Sequence, residues 1–128
     1  MATDDNKAVV RRFITEVLSA GHLDRIDQLL GPSYVNRAFG TDLPAFKGML
    51  PALVAALPER TVDIEELIAE GDAVVARYTM EMRDASGTTT SVRGLTYYRV
   101  ADGRIVEDEP ITSPDLRVAL GPLLAPAG

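Results

Sequence analysis

Cysteine and tryptophan are absent from the 128 residues, histidine occurs once, and aromatic residues make up only 5%. No disulfide, thiolate metal site or cysteine nucleophile is therefore available, and a reducing compartment suits the chain. The single histidine, His22, has no spaced partners and serves no serine as a base, so no metal is expected and His22 reads as a linker residue. No glycine-rich phosphate loop occurs either. Basic residues are outnumbered, 13 against 19 acidic ones, for a net charge of -6. That balance disfavours a nucleic-acid partner, whose affinity depends on clustered Lys and Arg. No apolar run approaches the roughly 20 residues of a membrane span. The opening MATDDNK lacks the basic-then-apolar order of a signal peptide. The expectation is a cytoplasmic protein with no membrane partner.

What is present suits one folded unit. With 46% apolar and 25% charged residues, residues 1–128 are expected to form a single domain, with a core over about 5–120 and a tail at 121–128. Apolar residues at helical spacing predict a helix from about Asp5 to Ala20, with Gly21 past its end, and a second, short helix over Leu23–Leu30, ended by Gly31-Pro32. A brief strand is expected at Tyr34–Arg37. Thr41 or Asp42 can cap a third helix over Leu43–Leu57, which Pro51 should kink or split. From Arg60 the period becomes two. Strands are predicted over Thr61–Ala69, Ala73–Arg83, Val92–Val100 and Arg104–Thr112, with turns at Gly71, Gly87 and Ala101-Asp102-Gly103. A last helical turn is expected through Leu120, and the proline-rich 121–126 is read as irregular. Helices first and a meander afterwards imply an α+β fold with the sheet curled over the helices, leaving a pocket at its wide end.

The last strand carries an anomaly. Glu107, Asp108 and Glu109 are consecutive, so a period of two must send at least one carboxylate to the covered face, where it is costly without a partner or a role. Alternation alone does not say which of the three it is, and a bulge at Pro110 would reverse the parity. All three on a solvated rim is the ordinary alternative.

The element order resembles the nuclear-transport-factor-two-like superfamily and, within it, the SnoaL-like polyketide cyclases. The resemblance spans nearly the whole chain. It is carried by Ala20-Gly21-His22-Leu23-Asp24, by Ile68 to Thr79 across the first hairpin, and by Tyr98 to Glu107 in the second. It implies a cone-shaped α+β barrel with an apolar cavity, no obligatory cofactor, and a homodimer formed through the sheet. The family's functional positions transfer unevenly. Where ketosteroid isomerases carry a tyrosine and an acid, this chain has Phe13 and Thr96. The cyclases' histidine and aspartate fall at Thr96 and Pro110. Asn36 does match these cyclases, while Tyr34 and Arg77 match limonene-epoxide-hydrolase-like enzymes, whose partner aspartate is Thr79 here. Asp108, one pleat before Pro110, is left to take the acid's role. The resemblance gives the cavity face to Val106, Asp108, Pro110 and Thr112, and leaves Ile105, Glu107, Glu109 and Ile111 outside; a bulge at Pro110 would put Glu109 inside in place of Asp108.

The expected catalytic set is thus Asp108, Asn36, Tyr34 and Arg77, with Thr96, Tyr98, Thr79, Arg37, Phe13, Phe46 and Pro110 against the substrate. Arg77 is contested by composition. Val74, Ala76, Tyr78, Met80 and Met82 make the opposite face of its strand look like the core, which would set Arg77 at a dimer rim. The resemblance and the acid together imply general acid-base catalysis on an apolar carbonyl- or epoxide-bearing metabolite such as a polyketide. The rival reading is a binding module of the same fold that has lost its acid-base pair.

Overall fold

In the computed structural model, which describes residues 2–124, helices lead into a long meander. The first helix has two parts: α1, Ala2–Arg12, continues as a π-helical stretch over Phe13–Ser19. The uniform helix expected up to Ala20 is thus wider in its second half, where the Ala20 N–H bonds to the Thr15 carbonyl five residues back, at 3.1 Å. Such turns occur disproportionately at functional sites. Gly21, with φ of 79°, ends the helix as expected. A short 3-10 turn, Leu23–Arg25, precedes α2, Ile26–Leu29.

β1 runs over Leu30–Asn36, starting earlier than the strand expected at Tyr34. β2, Thr41–Asp42, pairs with its end, and Asp42 caps α3, Leu43–Ala56, by accepting the Ala45 N–H at 3.0 Å. Pro51 does not divide α3. The anchoring of Phe46 and Leu50 in the core offsets the one hydrogen bond that a proline removes.

Four strands follow: β3 Glu59–Glu70, β4 Ala73–Arg83, β5 Thr89–Ala101 and β6 Arg104–Ser113. The sheet order is β2-β1-β6-β5-β4-β3, antiparallel throughout except where β1 lies parallel to β6. The β5–β6 turn has two left-handed residues, Asp102 at φ 51° and Gly103 at 76°, the combination that matches strand twist in a two-residue hairpin. Two bulges bend the sheet. On β3, Glu65 is the extra residue between the pairs Ile64–Tyr78 and Glu66–Arg77. On β6, Val106 is the extra residue between Val100–Ile105 and Arg99–Glu107. Each adds local twist and curl, and the result is a cone-shaped α+β fold with its helices in the concave face. Pro114 and Asp115 lead into α4, Leu116–Leu124, whose Arg117 N–H is accepted by the Asp115 carboxylate at 2.8 Å. The irregular tail expected from 121 therefore starts no earlier than 125, and 125–128 lie outside the described residues.

The Val106 bulge corrects the face assignment of β6. Ile105, expected outside, is fully buried in the core. Val106, expected on the cavity face, packs near Gly31, where an added Cβ would lie 3.1 Å from its Cγ1. From Glu107 onward the expected parity holds: Asp108 is buried, and Glu109 and Ile111 are exposed.

Gly94 on β5 faces Tyr78 on β4, and the tyrosine ring lies across the space that a side chain would fill. A Cβ at Gly94 would sit 2.6 Å from Thr112 Cγ2 and 3.0 Å from the Tyr78 hydroxyl. Overpacking of this kind costs about 1–3 kcal/mol, so Gly94→Ala is expected to lower the unfolding free energy by that amount and to bring down the urea midpoint with it. An unchanged midpoint would show that Tyr78 is not held in place by the gap.

Candidate active site

Strand register assembles the site. Asn36 on β1, Asp108 on β6 and Tyr98 on β5 lie side by side in successive strands, with Val74 next on β4. The adjacent inward row is Pro110, Thr96 and Ala76, and the one beyond is Thr112, Gly94 and Tyr78. These rows and the inner faces of the long first helix, α3 and α4 enclose a cavity of about 90 Å³, measured to the centres of water-sized spheres. Every point of that volume has a water's radius of room around it, so the space holds more than one water and takes a ring-bearing apolar ligand. Its walls are mostly aliphatic and aromatic, among them Ile14, Val17, Phe46, Leu50, Met80 and Leu116. The polar exceptions are Asn36, Arg60, Tyr78, Thr96, Tyr98 and Asp108.

Asp108 is 4% exposed. Tyr34, two residues before Asn36 and on the same face of β1, donates its hydroxyl to Asp108 Oδ2 at 2.9 Å. That hydroxyl in turn accepts from Asn36 Nδ2 at 3.3 Å. Asn36 is oriented by its other end, since Oδ1 accepts the backbone N–H groups of Ala38 at 2.9 Å and Phe39 at 3.2 Å. With the oxygen so occupied, only the amide nitrogen is left to face Tyr34. Asp108 Oδ1 accepts no hydrogen bond among the described residues, and the carboxyl borders the cavity. Burial pushes the Asp108 carboxyl up to about 7, against the opposing pull of the Tyr34 hydrogen bond. Near neutrality it both gives and takes a proton readily.

The phenols are different. Burial raises Tyr34 and Tyr98 far above the usual phenol range and pushes Tyr78 up to about 12. They stay protonated and serve as donors. Tyr78 and Thr96 hydroxyls share a buried hydrogen bond of 2.8 Å one row along from Asp108.

The predicted residues separate into three groups. Asp108, Asn36, Thr96, Tyr98, Phe46 and Pro110 meet at the cavity. Tyr34 and Phe13 lie one layer behind it: Tyr34 supports Asp108 and packs on Phe46 at 5.1 Å, and Phe13 packs edge-on against Tyr98 at 6.3 Å. Arg77, Thr79 and Arg37 are elsewhere. Arg77 points from the outer face of β4, 54% exposed and paired with Glu65 at 3.3 Å, and Thr79 donates to the same Glu65 at 3.0 Å. Alternation along β4 sends both outward because Ala76, Tyr78 and Met82 fill the inner face. Arg37 lies beyond the end of β1 and pairs with Glu107 at 2.8 Å, outside the cavity. Tyr78 and Arg60 belong to the site but had no role in the expected set. Both were signalled: a tyrosine in an apolar inner face needs a partner for its hydroxyl, and Arg60 precedes Val62 and Ile64 at the inward period of β3.

Comparison with known proteins follows this geometry. A family model described as a SnoaL-like domain matches residues 10–108. No curated protein sequence matches the chain. Among solved structures, a candidate polyketide cyclase from Acidithiobacillus ferrooxidans is 24% identical, with a TM-score of 0.75 and 94% of each chain covered. IdmH of Streptomyces antibioticus, also a candidate polyketide cyclase, is 23% identical with a TM-score of 0.73, over 91% of this chain and 98% of that one. An epoxide hydrolase of M. tuberculosis, similar to limonene epoxide hydrolase, is 20% identical with a TM-score of 0.77, over 95% and 93%. These likenesses fix the fold.

The Asp108 carboxyl has a consequence for stability. In the unfolded chain it titrates near 4 and in the folded protein at about 7. Between those values the folded state holds the extra proton, so this group's contribution to stability falls as pH rises and is fully unfavourable above 7. About three decades of proton concentration correspond to a penalty on the order of 4 kcal/mol. Asp108→Asn is expected to gain on the parent progressively from pH 4 to 8 in urea unfolding. A constant difference between the two proteins would mean that the carboxyl is ionised throughout.

Proposed function

The chain belongs to the family of SnoaL-like domains, and from that premise we propose that it is a small-molecule enzyme that uses Asp108 to move a proton on an apolar carbonyl-bearing metabolite of polyketide type. The observation that carries this reading is a buried carboxyl, poised near neutrality, with one oxygen held by Tyr34 and the other open to an apolar cavity. Ionised Asp108 takes a proton from carbon α to a carbonyl. The C–H electron pair enters the new C=C bond, and the carbonyl π pair moves to oxygen. Tyr78, Thr96 and the free N–H of Asn36 are the neutral donors within the same cavity for that oxygen, and such preorganised donors are worth a few kcal/mol each in a dry site. The nucleophilic carbon then closes a ring on a second carbonyl, and Asp108 returns its proton to the new alkoxide. These steps draw on no group beyond the side chains named.

An epoxide substrate, opened by water that Asp108 activates, is the variant suggested by the hydrolase-like fold. Labelled oxygen from water in a diol product distinguishes it. Arg77 has no part in either route within one subunit, because it lies on the other face of the sheet.

We read the 128 residues as one cytoplasmic domain that pairs through the sheet's outer face. Leu95 and Ile111 sit opposite each other there, 48% and 70% exposed, and Ile68, two strands away on the same face, is 57% exposed. An exposed apolar pair on a sheet face supports that reading. Leu95→Glu is expected to convert a dimer to monomers in sedimentation. A monomeric parent would remove the interface.

The chemistry is tested by proton exchange. With β-tetralone as a probe, the parent protein is expected to accelerate deuterium incorporation at the α-carbon, and Asp108→Asn to lower that rate by about 10²–10⁴-fold. Tyr34→Phe removes a hydrogen bond that favours ionised Asp108, so the acidic limb of its pH–rate profile moves to higher pH. Exchange unaffected by Asp108→Asn would take Asp108 out of the mechanism. A ligand retained 1:1 and recovered unchanged, with no exchange, would favour the binding module, the reading suggested by Thr96 and Pro110 standing where the family carries its acid-base pair.

A further inference from the structure

Arg60 begins the inward row of β3 that continues with Val62, and it lines the cavity. Its guanidinium is surrounded by neutral groups. Nε donates to the Leu18 carbonyl at 2.9 Å and Nη1 to the Leu57 carbonyl at 3.0 Å, both at helix C-terminal ends, while Nη2 lies over Gly21. Gly21 is left-handed and has no Cβ, and a Cβ there would collide with Nη2. No carboxylate among the described residues pairs with Arg60, although ion pairs occupy Arg12, Arg25, Arg37, Arg77, Arg83, Arg99 and Arg117.

Two of the five guanidinium N–H groups are used by those carbonyls. The remainder belong to a permanent cation partly removed from water and without a counter-charge. Arg60 and Met82 also border a shallow surface groove with Glu59, Glu81 and Arg83. The cation therefore stands where the cavity approaches the surface. The row of Asp108 runs through Tyr98 and Val74 to Ala69 on β3, nine residues along that strand from Arg60, which puts the two at separate ends of the space.

We propose that Arg60 is the recognition group for an anionic head on the substrate, a carboxylate or an acidic enol, and that the cavity selects molecules with an anion at one end and a reactive carbonyl at the other. The placing of the carbonyl rests on the role of Asp108 proposed above. The anion site does not, because a cation lacking an acidic partner binds an anion whether or not chemistry follows. Carbonyl capping alone would be the outcome if Arg60 served only to close the helix ends.

The probes are β-naphthoate and its uncharged isostere β-naphthamide, titrated by fluorescence at pH 8. The parent protein is expected to bind the acid at least tenfold more tightly than the amide. Arg60→Gln should reduce that ratio to within twofold, and Asp108→Asn should leave the preference intact. Because Arg60 also satisfies two helix ends, Arg60→Gln is paired with a measurement on the unaltered protein: naphthoate, and not naphthamide, is expected to shift the Arg60 Nε–H resonance. Equal binding of acid and amide, a preference that survives Arg60→Gln, or an unmoved resonance would each overturn the anion site. Normal tetralone exchange with equal binding overturns this site alone. An acid preference without exchange overturns the Asp108 chemistry alone.

Discussion

One extra residue in β6 decides which of three consecutive acids meets the interior. Without the bulge at Val106, the pairing of Ile105 with Val100 would run on unshifted and turn Asp108 outward, with Glu107 and Glu109 facing the core. With it, Ile105 fills the core, Asp108 reaches the cavity, and Glu107 lies outside between Arg37 at 2.8 Å and Arg99 at 3.6 Å. Those arginines hold the Glu107 carboxyl below the usual range, the Arg37 hydrogen bond foremost. Neighbouring acids in one strand are thus shifted in opposite directions because their surroundings differ. Gly31 permits the close approach of β1 to the bulge, and β1 brings Tyr34 and Asn36 with it.

The inner acid is tolerated because its surroundings meet half its needs. Tyr34 satisfies one oxygen, and a single neutral donor offsets only part of the desolvation. A second donor to Oδ1 would lower the pKa and leave a weaker base, and removal of Tyr34 would raise it and favour the neutral acid. The chain Ala38 and Phe39 N–H to Asn36, Asn36 to Tyr34, Tyr34 to Asp108 fixes each donor's direction, which is how a turn after β1 controls a group on β6.

Much of this was legible in the residues. Period two from Arg60 onward located all four long strands, and Gly71 and Asp102-Gly103 located two of their turns. An acid trapped by alternation pointed to β6. What stayed hidden was non-local. The parallel pairing of β1 with β6 joins residues some seventy positions apart, and no local signal in Tyr34 or Asn36 names that partner. Valine at 106 carries no mark of a bulge, and the expected face assignment succeeded at Asp108 while failing at Ile105. Arg77 shows the opposite case: the composition of β4 placed it outside, and a resemblance carried it inward. Physical alternation was the better guide there, because five apolar neighbours on one face cost far more to expose than one arginine gains by burial.

The separation of Arg60 from Asp108 along the sheet bears on the state of the acid. A guanidinium about 4 Å from a carboxylate stabilises the ionised form by about 4 kcal/mol at an effective dielectric of about 20. That is as large as the burial effect, so an arginine beside Asp108 would return it to an ordinary, permanently ionised carboxylate and a poor proton acceptor. Arg60 avoids this by taking backbone carbonyls as partners at the far end. The same cavity thus holds a fixed cation at one end and, well apart from it, a carboxyl poised near neutrality.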